Sequence, residues 1–214
     1  MPNSSSRLLD APEVIRWCYE PITEISLLNS TNVAVLRINQ DIEKAWANNI
    51  LNRTNLKQWT TTLCQNVVRE ALTKLGRKNV RRTTPRQSSV RDKNYQPDLE
   101  CDDFVYEVKG RSWCTPGTAG EKMLGTPLKY GEIPRLYNKP LQIILVAYQE
   151  YEARKGFAFG DLLDISNQTP ELAESLAFFK HQRIEYIAFT DILAQIGLSS
   201  GSRSESHPPL LKRE

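Results

Sequence analysis

Residues 97–110 (PDLECDDFVYEVKG) predict two short strands joined by an acidic turn. The second strand is rich in β-branched and aromatic residues, yet it carries Glu107 and Lys109 in its run. Such charges are costly in an apolar strand unless they are paired or bind a metal. Because side chains alternate faces along a strand, Glu107 and Lys109 share one face, and Asp98 on the preceding arm can reach it. The segment therefore predicts that two carboxylates and one ammonium converge at one point.

This grouping predicts phosphodiester hydrolysis. Carboxylate oxygens are the hard ligands that Mg²⁺ prefers. A lysine beside them can activate water or stabilise charge on a phosphate, in support of a bound metal. The alternative interpretation is a surface hairpin with ordinary charges, because short patterns of this kind also arise by chance.

The pair Pro97-Asp98 followed by Glu107-Val108-Lys109 resembles the signature of the PD-(D/E)XK nuclease superfamily, which includes most type II restriction endonucleases. The resemblance implies an α/β fold with a restriction-endonuclease-like core, a mixed central β-sheet flanked by helices in the order αβββαβ. It also implies that Asp98, Glu107 and the backbone carbonyl of Val108 bind Mg²⁺. Lys109 would orient or deprotonate the attacking water, and the products would carry 5′-phosphate and 3′-hydroxyl ends.

Further pairs after the motif add to the resemblance. Restriction enzymes often carry Gly-Thr, Glu-Lys and Lys-Tyr pairs after the catalytic lysine, and this chain has them at residues 117–118, 121–122 and 129–130. The resemblance covers about residues 56–198 in architecture, and only the short motifs in residue identity.

Glu70 is a further candidate for the site. Residues 55–75 predict an amphipathic helix, and Glu70 lies seven residues after Leu63, on almost the same apolar face. The resembling family often places a glutamate from an early helix near the metal, so Glu70 is a candidate catalytic residue. The alternative is a salt bridge at the edge of the core.

Residues 77–93 form a strongly basic segment that predicts an irregular loop leading into the hairpin. Its only acid is Asp92, and its threonines and serines can donate to phosphates. The predicted DNA-contacting residues there are Arg77, Lys78, Arg81, Arg82, Arg86, Arg91 and Lys93. A basic loop beside a metal site would dock on a polyanion, although charge runs are often only solvated. Arg111, Lys122 and Lys129 are further DNA-binding candidates, since arginine and lysine can read guanine.

Composition limits the function classes. The length of 214 residues favours one domain over residues 1–198, with a helical N-terminal portion over 1–54 and a disordered Ser/Pro-rich tail over 199–214. The cysteines form no CxxC pair, and there is neither a signal peptide nor a membrane-spanning run, so a cytoplasmic protein with reduced thiols is expected. Two histidines and no Walker A loop exclude a His-Asn-His nuclease, a zinc finger and ATP-driven cleavage.

The remaining pattern predicts helices and strands that complete the αβββαβ order. The expected elements are a helix over 11–29 bent or ended near Pro21, a helix capped by Thr31, a strand over 141–148, a helix over 170–180 capped by Thr169, a strand over 184–189 and a last helix capped by Thr190.

The leading hypothesis is a type II restriction endonuclease that cuts double-stranded DNA as a homodimer. A two-fold pair would place one reaction centre on each strand of a palindrome, and residues 12–51 are expected at the dimer interface. A cognate DNA methyltransferase would be its functional partner. One alternative is a repair or recombination nuclease on the same scaffold, such as a nickase or resolvase. The other is a DNA-binding protein with an inactive nuclease fold.

Overall fold

The computed structural model describes residues 7–21, 33–112, 121–155 and 162–199. The α-helices in these ranges are α1 (Pro12–Tyr19), α2 (Val33–Ile50), α3 (Trp59–Lys74), α4 (Glu121–Leu124), α5 (Thr126–Lys129), α6 (Ile133–Tyr137), α7 (Tyr148–Lys155), α8 (Pro170–His181) and α9 (Phe189–Gln195). The strands are β1 (Arg81–Arg82), β2 (Arg86–Gln87), β3 (Asn94–Tyr95), β4 (Leu99–Glu100), β5 (Val105–Arg111), β6 (Leu141–Ala147) and β7 (Ile184–Ala188). Short 3-10 helices cover Leu8–Asp10 and Ile165–Asn167.

A mixed five-stranded sheet forms the centre of the fold, in the order β1-β4-β5-β6-β7. Strand β4 runs antiparallel to β1 and β5, whereas β5, β6 and β7 run parallel to one another. Strand β6 is almost continuously apolar, as expected when helices cover both faces, whereas β5 carries Glu107 and Lys109 among its apolar residues. The register sets Glu107 beside Ile143 and Lys109 beside Leu145. The expected α/β class, with a mixed central sheet flanked by helices, is confirmed.

Alternation along β5 separates two apolar cores. Tyr106 and Val108 belong to the core that includes α1, α3 and α9. Val105 belongs to the opposite core, beneath α4 to α6 and the strand residues Ile143 and Leu145. Glu107 and Lys109 therefore project from the same face as Val105, which confirms the face predicted for them.

Helix α3 approaches β5 closely because Gly110 has no side chain. A Cβ at this position would overlap the Sγ of Cys64 and lie 3.1 Å from its Cβ. Cys64 is buried and directly precedes Gln65, which reaches the candidate site. The glycine thus sets the distance between the helix and the strand that carries Glu107 and Lys109.

Several local predictions have clear outcomes. The Thr169 cap is confirmed, because its side chain accepts a hydrogen bond from the Leu172 N–H at 3.3 Å. The Thr190 cap is wrong: α9 begins at Phe189 with Ala188 at the N-cap position, two residues earlier than predicted, and the Thr190 N–H donates to Glu150 at 2.9 Å. The irregular basic loop is also wrong in part, since it contains β1 and β2. The predictions for Thr31, residues 22–29 and the tail beyond residue 199 lie outside the described residues.

Helix length and thiol state complete the description. No helix in the described ranges combines the length and apolarity that a bilayer crossing requires. Cys18, Cys64 and Cys101 are buried free thiols, whereas Cys114 lies outside the described residues.

Candidate active site

The β4–β5 hairpin brings Asp98 against the edge of β5. Strand β4 pairs with β5 only as far as Tyr106, and Asp98 comes just before β4. The Val108 N–H therefore donates to Asp98 Oδ2 at 2.7 Å instead of to a neighbouring strand. Because the N–H and C=O of one strand residue point to the same side, the Val108 carbonyl faces this edge as well.

Gln65 is a contact that sequence reasoning missed. Its side-chain Nε2 donates to Asp98 Oδ1 at 2.6 Å. Helix α3 places it there through the close packing of Cys64 on Gly110. Both oxygens of Asp98 are thus held by donors, one from the helix and one from the strand. A neutral amide on a helix carries no charge signal, so only the three-dimensional structure reveals the contact.

Glu107 and Lys109 form a close ion pair on the face of β5. Lys109 Nζ lies 2.5 Å from Glu107 Oε1. The Glu107 residue is 5% exposed, whereas the Lys109 side chain is 26% exposed. Glu107 Oε2 is also buried; the Tyr130 hydroxyl interacts with the Glu107 carboxylate, but no donor among the described residues meets full hydrogen-bond geometry with this oxygen. A buried carboxylate oxygen without a donor is costly, and a cation would satisfy it.

The electrostatic environment of Asp98 follows from its burial. Burial and the nearby Glu107 carboxylate raise the pKa of Asp98 from 3.8 to about 6. The Val108 N–H, Lys109 and Gln65 favour the charged form and oppose this rise. A desolvated carboxyl group that faces a second carboxylate, as Asp98 does, is typical of functional sites.

Tyr130 closes the site on the side of the helical segment α4 to α6. Burial and the neighbouring Glu107 carboxylate raise the pKa of its phenol, so it stays protonated at neutral pH. Lys109 Nζ lies 5.9 Å and Lys129 Nζ 4.7 Å from the centroid of its ring. The ring also packs on Tyr95, with the two centroids 6.1 Å apart. Tyr130 thus links the lysine of the site to strand β3.

The donor set fits a magnesium ion. Within the part of the chain that the structure describes, no three His, Cys, Asp or Glu side chains gather as a metal-binding group. Asp98, Glu107 and the Val108 carbonyl supply oxygen ligands only. Mg²⁺ is often held by one or two carboxylates, with water and substrate phosphate completing the octahedron. The buried Oε2 of Glu107 is the observation that favours a cation here.

The assignment of Glu70 to the active site is corrected. Its carboxylate accepts hydrogen bonds from the backbone N–H groups of Leu8 at 2.9 Å and Leu9 at 3.3 Å. It lines a cleft with Arg7 and Arg69, on a part of α3 different from that occupied by Gln65. The physical reason is that the unpaired amides at the start of the 3-10 helix need an acceptor. Glu70 therefore has the structural role of a helix cap.

The predicted DNA-contacting residues differ in how freely their charges are presented. Six are exposed in the basic segment: Lys78, Arg81, Arg82, Arg86, Arg91 and Lys93. Arg81 pairs with Glu100 at 3.0 Å. Arg77 is half-buried, with its guanidinium 4.9 Å from the centroid of the Phe104 ring.

The DNA-binding candidates that follow the motif also differ in how exposed their side chains are. Arg111 pairs with Glu152 at 3.0 Å and lies over the ring of Tyr148. Its side chain is only 12% exposed, so contact with DNA would require that pair to open. Lys129 is exposed beside Tyr130. The side chain of Lys122 lies outside the described residues.

Three of the four hydroxyl groups expected to donate to phosphates, those of Thr83, Ser88 and Ser89, have partners within the protein. Thr83 donates to the carbonyl of Pro97. Ser88 and Ser89 donate to the carboxylate of Glu132. These residues shape the basic segment, and its charges remain on the outside.

Comparisons of the chain with models of protein families, with curated proteins and with solved structures found no match.

Proposed function

We propose that the chain is a Mg²⁺-dependent DNA endonuclease with a restriction-endonuclease-like core, acting as a type II enzyme. The observation that carries this proposal is the convergence of Asp98, Glu107 and Lys109 at one edge of β5. The antiparallel β4–β5 hairpin followed by the parallel strands β6 and β7 supports the same core. The resemblance of the Pro97-Asp98 and Glu107-Val108-Lys109 motifs supports it independently.

Each residue has a defined task in this proposal. Asp98, Glu107 and the Val108 carbonyl hold the metal, which when bound supplies a Lewis acid at the phosphate. Lys109 orients the attacking water as an ammonium or, as the neutral amine, accepts its proton; in either case the resulting ammonium stabilises the negative charge that develops at phosphorus. Gln65 and the Val108 N–H keep the Asp98 carboxylate in position.

The exposed basic segment supports double-stranded DNA as the substrate. Its arginines and lysines would contact phosphates on either side of the cleaved bond. Cutting both strands at a palindrome requires two copies related by a two-fold axis, so we propose a homodimer. A methyltransferase of matching specificity would then protect the host DNA.

A plasmid digest tests the proposal. The chain is incubated with supercoiled DNA in Mg²⁺, in Ca²⁺ and in EDTA, beside Glu107→Gln and the control Glu185→Gln. Glu185 is a carboxylate of the same sheet, on β7, and accepts from Gln142 at 2.8 Å. We expect discrete fragments in Mg²⁺ from the native chain and the control, and none from Glu107→Gln.

Other outcomes discriminate the alternatives. Single-strand nicks without fragments favour the repair or recombination nuclease. DNA binding without any cleavage favours the inactive nuclease fold. Full cleavage by Glu107→Gln overturns the site assignment.

A further inference from the structure

The hairpin formed by β2 and β3 is a small ribbon outside the central sheet. Arg86 pairs with Tyr95 and Gln87 with Asn94. The turn between the strands is closed by the Ser88 N–H, which donates to the Lys93 carbonyl at 2.8 Å. An isolated two-stranded hairpin is at best marginally stable in water. Other contacts must therefore hold this one in a single conformation.

Glu132, at the start of α6, provides those contacts. Its carboxylate accepts from Ser88 Oγ at 2.8 and 3.0 Å and from the Ser89 N–H at 3.2 Å. Ser88 Oγ in turn accepts from the N–H groups of Val90 and Arg91 at 3.2 and 3.1 Å. The turn is thus tied to α6 through the Glu132 carboxylate and through Arg135, which donates to Ser89 Oγ.

Two ring contacts hold the base of the ribbon. The guanidinium of Arg86 lies 5.3 Å from the ring centroid of Tyr137, and Lys93 Nζ lies 4.9 Å from that of Tyr95. The Tyr137 hydroxyl donates to the Thr84 carbonyl at 2.6 Å, just before the ribbon, and lies 3.2 Å from the Tyr95 carbonyl. These contacts orient the ribbon relative to Tyr130, on which Tyr95 packs.

The braced turn presents an apolar side chain to solvent. Val90 is 76% exposed at the tip. Arg86, Arg91 and Lys93 are exposed around it. Ordering an exposed turn costs conformational entropy, and Val90 buries little in return. Preorganisation of this kind reduces the cost of binding a partner. The surrounding basic residues complement the phosphates of nucleic acid.

We propose that this ribbon enters the major groove of duplex DNA and that Val90 contacts the methyl group of a thymine. The major groove admits a two-stranded β-ribbon, and apolar side chains read the thymine methyl there. The exposed basic residues would contact the phosphates on either side. This inference rests on the proposed function only in taking duplex DNA as the partner.

The ribbon is tethered close to the candidate active site. Val90 precedes Asp98 by eight residues, which span at most about 26 Å at roughly 3.3 Å per residue. A duplex rises about 3.4 Å per base pair. With a few ångströms of further reach at each end, the thymine read by Val90 lies within about one helical turn of the cleaved phosphate.

Selection from a random duplex library, followed by methyl deletion, tests the inference. The full chain, Val90→Ser and the control Phe178→Ser select duplexes in Ca²⁺, so that cleavage plays no part. Phe178 is 58% exposed on α8, which packs beside β7 at the sheet edge opposite β1. In the preferred duplex, each thymine is then replaced by uracil in turn, and Kd is measured by fluorescence anisotropy.

We expect one replacement to weaken binding of the native chain about fourfold, the equivalent of about 0.8 kcal/mol for one apolar group. The same replacement should leave Val90→Ser unaffected, and Phe178→Ser should behave as the native chain. Glu132→Gln should lower the preference for the selected duplex over random DNA. A purely electrostatic role for Glu132 predicts the opposite, tighter binding to every duplex.

The inference is overturned if the native chain selects no sequence, or if Val90→Ser keeps the full dependence on the methyl group. It is also overturned if Val90→Ser binds DNA normally but dissociates a native dimer, which would assign the tip to self-association. If the native chain does not cleave DNA in Mg²⁺ but still binds the thymine-containing duplex more tightly than its uracil counterpart, only the proposed nuclease activity is refuted. Cleavage without any dependence on Val90 would refute the ribbon alone.

Discussion

Replacement of Gly110 by alanine should damage the fold and the site together. The added Cβ would overlap Cys64 Sγ, and neither partner can withdraw easily, because β5 is paired with β6 and Cys64 is fully buried. Overpacking of this kind typically costs about 1–3 kcal/mol. At roughly 2–4 °C per kcal/mol for a chain of this size, Tm should fall by about 2–12 °C. Because Gly110 follows Lys109, any movement of the strand also displaces the ammonium.

A double-mutant cycle isolates the contact. Cys64→Ala removes the sulfur and leaves only the 3.1 Å approach to its Cβ, which a small adjustment relieves. The combined variant should therefore be more stable than Gly110→Ala alone, with a favourable coupling of about 0.5–3 kcal/mol. Urea unfolding gives the free energies, and single-turnover cleavage reports the position of Lys109. If Gly110→Ala is as stable as the native chain, or if Cys64→Ala gives no rescue, the helix does not depend on this glycine.

Four further outcomes follow from the site and its surroundings. Glu70→Gln should lose about 1.5–3 kcal/mol of stability from its charged hydrogen bonds and keep its single-turnover rate in the cold; a selective loss of rate would return Glu70 to the active site. Because folding raises the pKa of Asp98, protonation of this carboxyl group stabilises the folded state. That contribution is fully present below about pH 4 and is lost as pH rises through about 6. In EDTA, the Tm of Asp98→Asn should therefore rise relative to that of the native chain as pH increases from about 4 to 6. Addition of Ca²⁺ should raise the Tm of the native chain but not that of the variant. Plots of Tm against pH that run parallel for the two proteins would contradict this. Lys109→Met should lose cleavage yet still bind Ca²⁺ in calorimetry, because a charged ammonium has no lone pair to donate; wild-type turnover would remove the lysine from the mechanism. Replacing the exposed Arg82 and Arg91 with alanine should reduce the log–log salt slope of DNA binding by about 1.8 if both contact phosphate, and an unchanged slope would place them away from DNA.

The most accurate prediction from the sequence concerned side-chain direction along β5, because successive side chains of a strand must alternate between its two faces. Alternation placed Glu107 and Lys109 on one face of β5, and the structure confirms it. The partner strand needed only a short turn, so Asp98 could be placed as well. Such arrangements depend only on residues that are close together in the chain, so a single sequence is enough to predict them.

The errors arose where distant segments set the outcome. Helical spacing predicted that Glu70 lies at the active site. Its carboxylate instead accepts hydrogen bonds from the amides of Leu8 and Leu9, more than sixty residues earlier in the chain. Gln65 could not be identified, because its role depends on how closely α3 approaches β5. The basic segment was taken as irregular, since strands of two residues such as Arg81–Arg82 leave no periodic pattern to read.

The side chain of Tyr19 has a consequence for how the protein is made. Its hydroxyl donates to the Leu198 carbonyl at 2.8 Å and lies 3.2 Å from the Thr190 carbonyl; these residues are 179 and 171 positions further along the chain. Helix α1 also packs on β6 and α9. During synthesis the N-terminal segment emerges first, and it must wait for nearly two hundred residues before these partners exist. Trp17 can already pack on Trp46 and Trp59, which follow within about forty residues, but until the later partners exist the surface of α1 that packs on β6 and α9 stays open to water and to chaperones. Nascent chains stalled before α9 should therefore remain protease-sensitive at α1.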